Sequence, residues 1–199
     1  MKIPSLMVLS VLLLVPTRAA AHLASTDLGP FYDGAAHPWI SPEDALTLLA
    51  LAILAGTGGT DSARRAWMAA SAGWSVGLVS FGVWSLEFPL APVVSSSVLV
   101  ALGVAGAWPL RSSPGVITVV AGAVGLMRGA FNGVDLALAG GSWVAGIGMA
   151  VGALIPLSLL SASSVLLARG PLRVGLRVAG SWIAAVGVLM AGWALRGTP

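Results

Sequence analysis

Residues 142–168, SWVAGIGMAVGALIPLSLLSASSVLLA, decide the fold class. The stretch carries no charged side chain, and it exceeds the roughly 20 apolar residues a helix needs to cross a bilayer. Pro156 lies within it, so a kinked helix is expected. Five further apolar cores flank it, at 42–57, 65–86, 91–109, 114–128 and 174–195. Breakers separate them: glycines in 56–59, Pro89 and Pro92, prolines in 109–114, glycines in 129–141, and Gly170-Pro171. The pattern predicts an all-α, polytopic membrane helix bundle of about six transmembrane helices.

Composition agrees. Apolar residues make up 57% of the chain and charged residues only 9%, with mean hydropathy +0.96. A soluble domain carries about 25% charged residues, so the solvent for most of this surface is the lipid bilayer. The sequence pI near 10.6 does not point to nucleic acid. Its arginines are scattered between apolar runs, with no cluster to track phosphates. With no cysteine, disulfides and thiolate metal sites are excluded.

The first residues read as a secretory signal peptide, 1–21. Lys2 supplies the positive start, residues 7–15 a short apolar run, and Ala19-Ala20-Ala21 the small residues before cleavage. The run is too short for a spanning anchor. The mature chain would begin at His22, and 22–199 would form the six-span domain. With the mature N-terminus outside, Arg64, Arg65, Arg111, Arg169, Arg173 and Arg177 fall in cytoplasmic loops, and only Arg128 and Arg196 fall outside. That agrees with the positive-inside rule for a multi-pass protein of the bacterial inner membrane with both mature termini outside.

Two polar clusters are expected at the outer face. The first runs His37-Pro38-Trp39-Ile40-Ser41-Pro42-Glu43-Asp44. Imidazole nitrogen with carboxylate oxygen suits a divalent cation such as Ni²⁺, Co²⁺ or Zn²⁺. The same residues also read as a helix start, with Ser41 as cap, Pro42 at the first position, and acids in the first turn. The second cluster runs Met127-Arg128-Gly129-Ala130-Phe131-Asn132-Gly133-Val134-Asp135, between the fourth and fifth spans. Asn132 with Asp135 reads as an N-cap pair. Arg128 should pair with a carboxylate, with Asp135, Asp44 and Glu43 as candidates. His22, as a mature N-terminus, could chelate a metal through amine and imidazole.

No phosphate loop, His-Glu-x-x-His zinc motif or nucleophile elbow occurs, so no enzyme is expected. No permanently bound cofactor is expected either.

The order of these parts resembles the HupE/UreJ family of small membrane proteins. The likeness rests on Gly29-Pro30-Phe31-Tyr32-Asp33-Gly34-Ala35-Ala36-His37-Pro38, then Ser41-Pro42-Glu43-Asp44, then the segment from Met127 to Asp135. It implies nickel permease-like proteins associated with hydrogenase or urease maturation. Family members place a histidine five residues before an Asp-His pair; here His37 precedes Glu43-Asp44. A second, histidine-containing family segment reads Met127-Arg128-Gly129-Ala130-Phe131-Asn132-Gly133 here, with Asp135 as the nearby acid, and Arg128 stands at a ligand-histidine position. The expected metal ligands are therefore His37, Glu43, Asp44, Asn132, Asp135 and His22, with Ni²⁺ or another divalent cation as substrate. The alternative is a diverged, non-transporting module or accessory subunit that binds metal or a membrane-protein partner at the outer face.

Overall fold

The computed structural model describes residues 26–82, 90–108 and 113–196. The expected signal peptide and His22 lie outside them. Among the described residues the regular structure is entirely helical: α1 Pro30–Ile40, α2 Pro42–Thr57, α3 Thr60–Gly82, α4 Ala91–Ala107, α5 Pro114–Leu138, α6 Trp143–Leu167 and α7 Leu172–Arg196. The chain is an α-helical membrane bundle.

The first expected span, 42–57, is preceded by a separate helix, α1. Helices α1 and α2 meet at Ser41 with a 70° bend. Ser41 is extended, and its hydroxyl accepts from the Asp44 N–H at 3.5 Å. Pro42 occupies the first helical position, where its missing N–H costs nothing. The bend breaks any continuous helical face between His37 and Asp44. Beyond it, α2 is apolar on all sides and buried along most of its length, so it forms the centre of the bundle.

Glycines set the closest helix contacts. A Cβ on Gly125 would strike the backbone of Ala70, and one on Gly129 the backbone of Trp74, so α3 and α5 touch main chain to main chain. This corrects the expected boundary at 129–141. Helix α5 continues through Gly129 and Gly133 to Leu138, because Gly129 here is a packing position against α3. Asn132 is consequently a mid-helix residue and not an N-cap.

Contact order along the helices fixes their directions. Gly73 and Gly77 of α3 meet Gly122 and Leu126 of α5, so this pair is parallel. Asp44 of α2 meets Arg128 of α5, and Gly58, which caps the other end of α2, meets Ile117, so that pair is antiparallel. Gly103 and Gly187 approach Ala184 and Val100, which makes α4 and α7 antiparallel. Trp67 and Leu78 of α3 meet Leu154 and Gly146 of α6, again antiparallel. By length and apolarity, α5, α6 and α7 can each cross a membrane, and the bent α1–α2 pair brings the number to four. Helix α4, at 17 residues, is apolar but shorter, and α3 carries Asp61, Arg64 and Arg65 in its first turns.

Pro156 sits inside α6 without ending it. Its missing N–H would have bonded the carbonyl four residues back, at Gly152. The Trp39 indole N–H donates to that carbonyl at 2.9 Å. Glycines make the approach possible: a Cβ on Gly148 or Gly152 would collide with the α1 backbone at Phe31 or Ala35.

Candidate functional site

The two acids at the start of α2 meet α5 and α4 in a buried polar centre. The helix cap at Ser41 places Glu43 and Asp44 in the first turn, where the positive end of the helix dipole favours them. From α5, Arg128 reaches across. Its Nε and Nη2 lie 2.6 and 2.5 Å from Asp44 Oδ1, and its Nη1 lies 3.2 Å from Glu43 Oε2. Nη1 also donates to the Ser95 hydroxyl of α4 at 2.9 Å. The guanidinium carbon stands 5.8 Å from the centre of the Phe131 ring, within cation–π range. Arg128 and Asp44 are 4% and 1% exposed, so this is a desolvated pair whose strength depends on complete bonding.

Asn132, one turn beyond Arg128, completes the centre. Its amide nitrogen donates to both Asp44 oxygens at 3.1 Å and to the Arg128 carbonyl at 2.8 Å. All three neighbours are acceptors, which fixes the amide orientation. Its Oδ1 is left buried without a hydrogen-bond partner, an acceptor that could receive a proton donor or a cation. Counted together, Arg128, Asp44 and Glu43 carry one positive and two negative charges. Glu43 is the more accessible acid, its side chain 29% exposed.

Of the partners considered for Arg128, the structure brings Asp44 and Glu43 to it. Asp135 lies one turn further along α5, with an exposed side chain. His37, half-buried on α1, lies near enough to Asp135 for the two to interact electrostatically. The expected ligands therefore divide into an inner group, Glu43, Asp44 and Asn132, and an outer pair, His37 and Asp135. Among the described residues, no group of three or more His, Asp or Glu side chains is gathered closely enough to hold a metal ion. Ser95 is the member that sequence reasoning missed; three consecutive serines at 95–97 carry no signal that singles one out.

A helical membrane bundle with a buried, charge-compensated centre defines the class of this molecule: a polytopic membrane protein with polar chemistry at one end of its core. The family model described as HupE / UreJ protein matches residues 9–190, and the chain belongs to that family. No curated protein and no solved structure matches it.

Proposed function

We propose that this HupE/UreJ-type protein takes up a divalent metal ion of the nickel type across the bacterial inner membrane, with the Glu43–Asp44–Asn132 centre as the place where the cation is received. The observation that carries the reading is Asp44, a carboxylate 1% exposed inside a membrane bundle. Ionisable residues in such a setting mark ion pathways by default. The partnerless Asn132 Oδ1 supplies a second oxygen beside it. His37 and Asp135 would collect the ion at the surface, and His22 would join them at the mature terminus. Arg128 acts as the resident counter-charge, and an incoming cation must displace it from Asp44. The reading assigns the protein no catalytic step.

A second reading is favoured by one observation. Asp44 already has Arg128 on one oxygen and Asn132 on both, which leaves it little capacity for a metal. On that reading the chain is a non-transporting module that binds metal or a membrane partner through its outer residues.

Accumulation of labelled Ni²⁺ and Co²⁺ in cells lacking other uptake routes tests the first reading. Accumulation above the empty-vector level, lost on Asp44→Asn and reduced on His37→Ala, supports transport. Background accumulation from protein verified in the membrane rejects it in favour of the module. Neutral imidazole is the ligand form, so any binding through His37 should weaken in acid.

A further inference from the structure

A groove of about 480 Å³ runs between α3 and α6, at the end of the bundle remote from Asp44. Arg64 and Trp67 line one wall, and Ser161, Ala162 and Leu166 line the other. We infer that this groove binds one anionic phospholipid, with the phosphate at Arg64 and an acyl chain along the apolar wall.

Charge supports an anionic occupant. Among the described residues, Asp61 is the acid that pairs with the two arginines, and it lies 2.8 Å from Arg65 but 4.0 Å from Arg64. The pair of arginines keeps a net positive charge, at the N-terminal end of a 23-residue helix whose dipole adds to it. Arg169 and Arg173 lie at or just beyond the α6–α7 turn, which begins after Leu167. Basic residues at a membrane surface attract the anionic headgroups of the cytoplasmic leaflet.

Polarity inside the groove is an independent sign. The Ser161 hydroxyl is buried, 3% exposed, and has no hydrogen-bond partner. A helical serine normally bonds a carbonyl in the preceding turn, as Ser163 does with Leu159 at 2.8 Å. Ser161 lines the groove with its hydroxyl recessed behind the wall, and a phosphate or ester oxygen pressed into the groove would give that donor its acceptor. Trp67 has spent its N–H on the Leu154 carbonyl at 3.1 Å, so it offers only its ring to the groove. A soluble anion would use the arginine but gain nothing from Trp67, Ala162 and Leu166.

Full-length protein in nanodiscs of phosphatidylcholine, with and without phosphatidylglycerol, tests the inference, with retained lipid counted by native mass spectrometry. One phosphatidylglycerol should be retained in preference to phosphatidylcholine. Arg64→Gln should lower its retention about five-fold, the factor for roughly 1 kcal/mol per basic residue at an anionic surface. Ser161→Ala should lower it further, and Asp61→Asn should raise it. Equal retention of both lipids, indifference to Arg64→Gln, or displacement of the lipid by inorganic phosphate alone would each overturn the proposal.

Discussion

The indole N–H of Trp39 lies 2.9 Å from the carbonyl oxygen of Gly152, the acceptor that Pro156 leaves without its helical donor. A side chain on α1 thereby repairs a defect in α6. An open carbonyl facing lipid has no water to turn to, so the repair matters more here than in a soluble protein. Replacing Trp39 with Phe should cost about 1–3 kcal/mol, the range for an acceptor left unpaired. In a Pro156→Ala background the backbone supplies the bond again, and the cost should shrink. Unfolding of the four variants measures the coupling; equal costs in both backgrounds would rule out the repair.

The buried pair predicts a second non-additive effect. Arg128→Met alone leaves Asp44 without its main partner and should destabilise by about 3–5 kcal/mol. Arg128→Met with Asp44→Asn should be milder, because no charge is then stranded. Glu43→Gln should cost about 1 kcal/mol or less, since that carboxylate is partly solvated. A double-mutant cycle on Arg128 and Asp44 with no coupling would remove the pair as a structural unit.

Glycine positions on α5 should differ sharply in tolerance. A Cβ at Gly129 meets the Trp74 backbone, whereas one at Gly122 finds its nearest neighbour at 3.6 Å. Gly129→Ala must push α3 and α5 apart and should cost about 1–3 kcal/mol. Gly122→Ala should stay within about 0.5 kcal/mol, as substitutions away from tight sites do. Thermal unfolding in one detergent compares them directly.

Membrane orientation is open to reporter fusions at residues 60, 112 and 171 and at the C-terminus. The arginine distribution predicts the first three inside and the C-terminus outside. A cytoplasmic C-terminus would contradict six crossings.

Much of this arrangement was legible from residue types. The long apolar runs announced membrane helices, and a lone arginine at 128 announced a carboxylate partner, because neither feature has another stable outcome in lipid. The cap at Ser41 was legible for a local reason: its chemistry is complete within four residues. Helix α1 was not, since Pro30 opens it, Pro38 lies inside it, and Gly34 serves its packing against α6, none of which marks a helix locally. The continuity of α5 was hidden in the same way. Gly129 and Gly133 carry opposite meanings in a loop and at a helix crossing, and only the partner helix distinguishes them. Ser95 and the Trp39–Gly152 bond join residues far apart in the chain, and such pairings have no local signature.

The salt bridge at the core also has a history in time. Asp44 precedes Arg128 by 84 residues, so the acid leaves the ribosome with its helix well before its partner exists. An unpaired aspartate is costly in an inserting helix, most of all at its centre and less in the first turn, where Asp44 lies. During synthesis the start of α2 must therefore be sheltered by the insertion machinery or held at the membrane surface until α5 arrives. The last event in assembling the centre is the arrival of Arg128, which makes correct biogenesis of the first half of the protein conditional on completion of the second.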